Sequence, residues 1–324
     1  MEMITRLTGG IGAACGDPRE VGRALWLSAG VPALALALFV TVWAAVAPRI
    51  QTSLGAVPGP TQVLAQAQVL WADHFAERRK RVEFYVRQDA RNKERLAEDP
   101  TATPRAFTYN GKPTYLDQII TSLVTVFTGF LIATVLAVPL GILAGSSKIV
   151  QAAINPIVQT FRPVSPLAWL PIVTLIVSAV YVTTGTPMFQ KSFLISAITV
   201  TLCSLWTTLI NTAVGVTSVD KDLINVGKVL QLSLITRVRK IILPSALPFI
   251  FTGMRLSLGV GWMVLIAAEM LAQNPGLGKF VWDEFQNGSS DSLSRIMVAV
   301  LTIGLIGFAL DRLMSMLQNL VARP

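Results

Sequence analysis

The sequence predicts an all-α integral membrane protein with six transmembrane helices. Of its 324 residues, 52% are hydrophobic and only 14% are charged, and the mean hydropathy is +0.59. Soluble domains carry about 25% charged residues, so this chain has too few charges to cover a water-facing surface. Its long apolar runs alternate with polar loops, and a run of about 20 apolar residues is long enough to cross a bilayer. The chain therefore reads as a polytopic membrane protein.

Composition and motif content exclude several classes of function. The net charge of +9 is spread over loops between apolar runs, which is how membrane topology arranges basic residues, so nucleic-acid binding is not predicted. Cys15 and Cys203 lie far apart and His74 is the only histidine, so we expect no metal site, disulfide or catalytic triad. The sequence GLGK at 276–279 lacks the spacing of a phosphate-binding loop. We therefore expect no catalytic residue and no cofactor, with any ATP bound by another chain.

The first predicted element is a transmembrane helix over residues 24–47, a run without charge. Residues 1–23 carry three arginines and are predicted to be a cytoplasmic N-terminal segment. A signal peptide is the alternative, because Ala45-Val46-Ala47 resembles a cleavage site. The apolar run is longer than the roughly 7 to 15 residues of a signal-peptide core, so a retained helix is favoured.

Residues 48–116 are predicted to form a periplasmic loop that contains a charged, solvent-exposed helix at 72–99. The loop is rich in basic residues, but long loops count poorly in the positive-inside rule. The shorter loops decide the topology, because Lys148 and the five basic residues of segment 217–248 place both of those loops inside. Counting six spans then puts residues 48–116 outside.

Residues 117–318 are predicted to be the five-helix core. The third segment is expected to be broken, because Pro163 and Pro166 flank the sequence between an interfacial helix and the span that follows. The polar stretch 274–291 is too short to cross the membrane and is predicted to be a small helix at the outer surface. The spans of the core are predicted within 118–147, 167–182, 192–216, 249–271 and 294–317.

Segment 217–248 is a polar and basic island between two of these spans. Within it, residues 223–234 are predicted to be a short helix with Asn225, Lys228 and Gln231 on one face, since residues three apart share a face. A basic turn follows, and Pro244 is predicted to begin the next helix, because proline is tolerated in a first turn. Such a segment is suited to docking with a partner, and an ordinary solvated loop is the alternative.

The island resembles the coupling loop of the permease subunits of bacterial ABC importers, whose pattern is E-A-A, three residues, G, nine residues and I-x-L-P. Placing that proline on Pro244 puts I-x-L on 241–243, the glycine on Gln231 and E-A-A on 225–227, so the spacing is kept while the letters differ. The sequence LINVGKVL at 223–230 is similar to the nitrate, cyanate and bicarbonate permeases, as are two blocks at 155–171 and 247–271. The resemblance covers about residues 119–317.

This resemblance implies a type I ABC importer permease in the bacterial inner membrane, with a cytoplasmic coupling helix. Its implied partners are two ATP-binding cassette subunits, a second and identical permease chain, and a periplasmic or lipid-anchored solute-binding protein, all within membrane lipid. The implied substrate is nitrate, together with nitrite, and bicarbonate or cyanate is the alternative. The residues expected to couple this chain to the ATPase are Asp222, Asn225, Gly227, Lys228, Gln231, Ser233, Arg237 and Arg239.

Polar side chains inside spans are costly unless they face protein or water, so they are candidates for a translocation pathway. Arg255 could instead extend its charge to the membrane interface, and Glu269 could lie at the outer edge of its span. Threonines on the fourth span could bond back to their own helix. The candidates are Arg162, Ser165, Thr207, Asn211, Arg255 and Glu269.

Two other classes of protein are weighed against an importer subunit. A secondary transporter driven by an ion gradient typically shows internal repeat symmetry, and no internal repeat stands out in this chain. A purely structural membrane protein would not need the combination of a short helix, basic turn and prolines in segment 217–248.

The topology can be tested with the variant Glu83→Cys in a background that lacks Cys15 and Cys203. We expect a membrane-impermeant maleimide to label this position in intact cells, because residues 48–116 are predicted to face the periplasm. Labelling that occurs only after lysis would reverse the topology.

Overall fold

The structure of the chain is a computed structural model. It describes residues 22–23, 25–52, 55–99, 101, 103–182 and 189–321. Cys15 and most of the predicted cytoplasmic segment 1–23 lie outside these residues, so the structure does not address that segment.

Helices dominate the described part of the chain, in agreement with the predicted all-α class. A short antiparallel pair of strands, β1 (Gln51–Thr52) and β2 (Gly55–Ala56), follows the first helix. In chain order the helices are α1 (Val31–Val46), α2 (Pro60–Glu98), α3 (Tyr115–Ser146), α4 (Lys148–Phe161), α5 (Pro166–Val180), α6 (Lys191–Thr217), α7 (Lys221–Val229), α8 (Leu234–Arg237), α9 (Leu243–Ala272), α10 (Leu277–Asn287) and α11 (Ser292–Val321).

Five described helical segments are long and apolar enough to cross a membrane, and the pair α4 and α5 makes a sixth when it is counted as one span. The pair bends by 101°, which confirms the break predicted for the third segment. Pro166 occupies the first turn of α5 and the Ser165 side chain caps that helix. The five single spans are Trp26–Arg49, Tyr115–Ser146, Lys191–Thr217, Leu234–Ala272 and Ser292–Val321.

The chain divides into two compact units. One contains residues up to 67 together with 287–298, and the other contains 68–286 together with 299–324. In the first unit, α1 is followed by a 3-10 turn and the strand pair, and the Trp43 indole donates a hydrogen bond to the Pro58 carbonyl at 3.2 Å.

Helix α2 is longer than the charged helix predicted at 72–99, because it begins at Pro60. Proline suits a first helical turn, since its missing N–H has no intrahelical partner there. The Gln62 side chain also accepts a hydrogen bond from the Gly59 N–H, which supplies a further contact at this helix start. The correction is therefore a helix start twelve residues earlier than predicted.

The centre of the second unit is α6, with α3 and α9 packed against it at glycines. A Cβ atom at Gly129 of α3 would lie 2.6 Å from the Ala197 carbonyl oxygen, and one at Gly253 of α9 would lie 2.7 Å from the Asn211 Cβ. Small residues allow helix backbones in membranes to approach this closely. The glycines therefore fix how near α3 and α9 can come to α6.

Two serines join α6 to α9 by a reciprocal pair of hydrogen bonds. The Ser257 hydroxyl donates to the Ser204 carbonyl at 2.8 Å, and the Ser204 hydroxyl donates to the Ser257 carbonyl at 3.3 Å. Both residues are fully buried. Hydrogen bonds between transmembrane helices average about 0.6 kcal/mol. The pair therefore orients α6 and α9 more than it stabilises them.

Two glycines of α9 provide a matched test of this packing. We expect Gly253→Ala to lower the free energy of unfolding by about 1–3 kcal/mol, because the added methyl group overpacks the interface with α6. Gly259→Ala is the control, since a Cβ at Gly259 meets nothing within 4 Å. Thermal melting of the purified protein in detergent checks both variants. Equal melting temperatures for the two would contradict the close packing of α9 on α6.

Candidate functional site

Helix α7 of segment 217–248 is shorter than predicted, because it ends at Val229 rather than at residue 234. Its N-cap is Asp220, whose side chain accepts a hydrogen bond from the Asp222 N–H at 2.9 Å. At its end the Leu232 N–H donates to the Gly227 carbonyl and the Gln231 N–H donates to the Lys228 carbonyl. This pair of bonds is a Schellman motif, which terminates a helix.

Gln231 lies just beyond this end with a φ of 49°, in the left-handed region. It therefore does not continue the helical face of Asn225 and Lys228, which corrects the predicted three-residue face. The left-handed conformation costs an L-residue about 1–2 kcal/mol, which is why this position usually holds glycine. Gln231 is also where the resemblance places the glycine of the coupling loop. The left-handed backbone at this position explains why the motif has a glycine there.

Gly227 lets α7 rest on the segment that leads into α9. It is the one residue of α7 that is buried. A Cβ atom at this position would lie 2.9 Å from Ile241 Cδ1 and 3.5 Å from Arg237 Cγ. Arg237 is half-buried through this contact, while Arg239 is exposed.

The α-helix α9 begins at Leu243 with Pro244 in its first turn, as predicted, but a helical run that starts earlier leads into it. Ser233 caps a helix that begins at Leu234, accepting a hydrogen bond from the Thr236 N–H at 3.3 Å. A π-helical turn over Val238–Ile242 then leads directly into α9, and the run Leu234–Ala272 is one helical span. Pro244 has no N–H to donate, and the π turn over Val238–Ile242 lies directly before the first turn that holds it.

The outward face of α7 is largely apolar. Val226, Val229 and Leu230 are 53%, 82% and 65% exposed, and together with Asp222 and Asn225 they line a shallow cavity of about 330 Å³. The predicted coupling residues do not include these three. Valine and leucine at helical spacing in an otherwise polar loop were the signal available in the sequence.

Arg162 and Ser165 both lie at the bend between α4 and α5. Arg162 is exposed at the end of α4, and the Ser165 hydroxyl accepts from the Leu167 N–H at 3.3 Å. Phe161 packs beside this bend against Trp169 and Trp206, with ring centroids 5.6 and 6.2 Å apart. The bend is thus held by a cap and by aromatic contacts.

Thr207 and Asn211 lie one turn apart on α6. The Asn211 amide donates to the Thr207 carbonyl at 2.8 Å, and its Cβ faces Gly253. The buried hydroxyls of Thr208 and Thr212 have no hydrogen-bond partner among the described residues. Thr208 and Thr212 lie about 100° around α6 from Thr207 and Asn211, so the polar groups of this helix are spread over more than one face.

Arg255 of α9 forms a two-pronged ion pair with Asp311 of α11. The guanidinium Nε lies 2.6 Å from Oδ1 and Nη2 lies 2.8 Å from Oδ2. The pair lines a cavity of about 200 Å³ together with Trp262 and Gly259. Sequence reasoning missed Asp311, although an acid inside the otherwise apolar sixth span was a visible signal.

Glu269 is fully buried and is held by groups from three parts of the unit. The Ser122 hydroxyl of α3 lies 2.9 and 2.8 Å from its two carboxylate oxygens. The Gly278 N–H donates to it at 2.9 Å, and the Asn274 amide contacts it at 3.5 Å. The carboxylate thus joins α3, the end of α9 and the start of α10.

Glycines make room for this carboxylate. A Cβ atom at Gly276 would collide with the Glu269 carboxylate, and one at Gly278 would collide with the Ile266 carbonyl and approach Glu269 Cβ. The Leu277 N–H also donates to the Ser122 hydroxyl at 2.9 Å. The GLGK sequence at 276–279 is therefore a close-fitting turn around a buried acid.

The pathway candidates fall into four local groups. Arg162 and Ser165 lie at the bend, Thr207 and Asn211 lie on α6, Arg255 pairs with Asp311, and Glu269 joins Ser122. Among the residues that the structure describes, no hydrogen bond or ion pair joins one of these groups to another.

This combination of several membrane-spanning helices with a short, partly apolar helix between two spans is that of a transport permease. Residues 137–323 match a family model described as "Binding-protein-dependent transport system inner membrane component". The match covers more than half of the chain, which therefore belongs to this family of ABC importer permeases. It is a multi-pass protein of the bacterial inner membrane, and the predicted family and location are confirmed.

Curated relatives narrow the type to nitrate and bicarbonate permeases. The chain is 38% identical over 204 residues to the nitrate import permease protein NrtB of Synechocystis sp., covering 63% of this chain and 69% of the relative. It is 35% identical over 205 residues to NrtB of Synechococcus elongatus, covering 63% and 69%. It is also 38% identical over 206 residues to the bicarbonate transport system permease protein CmpB of Synechocystis sp., covering 63% and 68%.

A solved structure shares the fold. The inward-facing MetNI methionine ABC transporter superposes with a TM-score of 0.55 at 15% identity, covering 64% of this chain and 96% of that chain. At this sequence identity, the structural similarity supports a shared fold and nothing more. The family match begins at residue 137, so α1 and α2 lie outside it.

The network around Glu269 can be tested by an isosteric change. We expect Glu269→Gln to lower the free energy of unfolding by about 1–3 kcal/mol, because an amide N–H₂ replaces one acceptor where the neighbouring groups donate. Hydrogen exchange at the amides of Leu277 and Gly278 should become faster. Ser122→Ala removes both the donor to Glu269 and the acceptor of the Leu277 N–H, so exchange at Leu277 should become faster in this variant as well. If Glu269→Gln leaves both exchange and melting unchanged, the carboxylate does not hold α10.

Proposed function

We propose that this chain is the permease subunit of an ATP-driven importer of nitrate, with nitrite as a related substrate. The observation that carries the proposal is its 38% identity with a nitrate import permease, together with the sequence LINVGKVL at 223–230 in the coupling position. The chain gates the membrane and does no covalent chemistry, because ATP hydrolysis would take place in partner subunits.

Bicarbonate is the second candidate, since a bicarbonate permease is equally similar at 38% identity. The sequence at 223–230 also resembles the coupling loop of cyanate permeases. Nitrate, bicarbonate and cyanate are all small monovalent anions, so one permease architecture can serve each of them while the solute-binding protein does much of the selecting.

The partners follow from the family. Two ATP-binding cassette subunits, a second copy of this chain, and a periplasmic or lipid-anchored solute-binding protein would complete the importer. The exposed apolar residues Val226, Val229 and Leu230 of α7 suit a hydrophobic groove on the ATPase, with Asp222 and Asn225 at its rim. Helix-in-groove docking of this kind uses apolar anchors at helical spacing.

The coupling mechanism follows from how α7 is held. When the ATP-binding subunits close, they would displace α7, and the contact of Gly227 with Ile241 and Arg237 would pass that displacement to the base of α9. The other residues expected at this interface are Lys228, Gln231, Ser233 and Arg239. Ser233 acts through the helix that it caps.

The pathway for the anion is proposed to be weakly polar and electropositive. Arg162 at the bend would raise the local anion concentration at the inner mouth, and Ser165, Thr207 and Asn211 would offer hydrogen-bonding groups deeper in. Arg255 is neutralised by Asp311 and Glu269 is buried, so these two residues would act on the helices around the path.

The topology completes the proposal. Residues 1–23 and the coupling segment 217–248 would lie in the cytoplasm, and residues 48–116 would lie in the periplasm. The five-helix core 117–318 would carry the substrate.

Transport by the reconstituted complex tests the substrate. We expect proteoliposomes that contain this chain, its ATP-binding subunits and its solute-binding protein to accumulate labelled nitrate in the presence of ATP. Unlabelled nitrite should compete strongly, and bicarbonate or cyanate should compete weakly. Uptake of bicarbonate with no uptake of nitrate would assign the chain to the alternative.

The coupling role of α7 can be tested at Gly227. We expect Gly227→Glu to abolish transport and lower ATP hydrolysis. The glutamate side chain cannot fit against Ile241 and would displace α7 from its contact with the segment that leads into α9. Gly227→Ala is the matched control, since only the flexible end of Ile241 must move by a few tenths of an ångström, and it should keep most of the activity. Full transport by Gly227→Glu in the same vesicles would remove α7 from the coupling path.

A further inference from the structure

Helix α2 carries an exposed apolar stripe. Trp71, Phe75, Val82 and Val86 are 55%, 49%, 62% and 61% exposed. At 100° per residue they lie within about 60° of one another around the helix. The Trp71 and Phe75 rings also pack edge to face, with centroids 5.7 Å apart. Asp89 occupies the next position along this line, so the apolar stripe ends there.

A different side of α2 is already occupied by the chain that follows it. The Tyr109 hydroxyl donates to Glu77 at 2.6 Å, the Phe107 N–H donates to Gln88, and Asn92 exchanges two hydrogen bonds with the backbone of Arg105. The Tyr109 hydrogen bond lowers the pKa of Glu77 and raises that of Tyr109 itself. Residues 77, 88 and 92 lie roughly 90° to 150° around the helix from the centre of the stripe.

One end of the stripe lies near the start of the transmembrane helix α3. Arg78 pairs with Asp117 at 2.8 Å, and Asp117 lies in the first turn of the transmembrane helix α3. The His74 ring contacts the Thr114 hydroxyl at 2.7 Å, and Thr114 caps the same helix. Arg78 lies only about 50° around α2 from the centre of the stripe. The stripe therefore points toward the side on which α3 starts its crossing.

We propose that this stripe lies on the bilayer surface, so that α2 is an interfacial amphipathic helix. Trp71 and Phe75 would sit at the headgroup level, where aromatic side chains are enriched, and Val82 and Val86 would continue the contact. Arg79 borders the stripe, and a basic residue beside an apolar face is placed to meet lipid phosphates. The lipid surface is favoured over a protein partner because the stripe is continuous with the point where α3 enters the membrane.

The inference is independent of which anion is carried and of which side of the membrane α2 occupies. It gives a role to a helix that lies outside the matched region of the family. By lying on lipid, α2 would hold the start of α3 at a fixed depth through the Arg78 and His74 contacts.

Site-directed spin labelling tests this proposal on the full-length chain in nanodiscs of phosphatidylethanolamine and phosphatidylglycerol, with the native cysteines replaced. Single labels are placed on the stripe at 82 and 86, and control labels at Ala76 and Arg87, which are exposed and lie over 100° away around the helix. We expect the ratio of oxygen to water-soluble nickel accessibility to be several-fold higher on the stripe than at the controls.

The three possible environments give three different results. High nickel accessibility at 82 and 86 would show that the stripe faces water and would overturn the proposal. Low accessibility to both reagents would show that a protein, such as the solute-binding protein or a second copy of this chain, covers it, and would also overturn it. Val82→Asp should raise the nickel accessibility of a label at 86, and Ala76→Asp should not. The same nickel accessibility in both variants would contradict the contact of the stripe with lipid.

Discussion

The close approach of α3 and α9 to α6 is the constraint on which the rest of the second unit depends. Gly129 and Gly253 admit the neighbouring backbones, and Ser204 and Ser257 orient them. Because the helices touch along their backbones, side chains that project from them are placed within narrow limits. Asn211 is positioned against Gly253 in this way.

Two sites with ionisable side chains connect α9 to neighbouring helices through different interactions. Arg255 and Asp311 neutralise each other, so neither leaves an isolated charge in the membrane. Glu269 has no cation beside it in the described contacts and relies on hydrogen-bond donors from Ser122 and Gly278 instead. Removing a donor from the fully buried Glu269 would leave one of its oxygens unpaired, which costs more than the hydrogen bond itself contributes. The Arg255 and Asp311 side chains are 35% and 42% exposed, so breaking that pair should cost less.

Hydropathy and proline placement were enough to predict the spans and the break near Pro163, because apolar length and the loss of a backbone donor act locally. Segment 217–248 was found by its spacing, yet the end of its helix was missed, because Gln231 is left-handed without being a glycine. The continuity through Pro244 was missed because a π turn has no clear sequence signature. The pairing of Arg255 with Asp311 and of Glu269 with Ser122 required the tertiary structure, since the partners are 56 and 147 residues apart.

The unbroken helical run Leu234–Ala272 has 39 residues and is about 58 Å long. One end touches α7 at Gly227, and the other end carries Glu269, which accepts a hydrogen bond from Gly278 of α10. Because one helical run joins the two contacts, a tilt of the whole run would move both ends together. Opening toward one side of the membrane and closing toward the opposite side would then be a single tilt of one helix, with no separate signal needed between two gates.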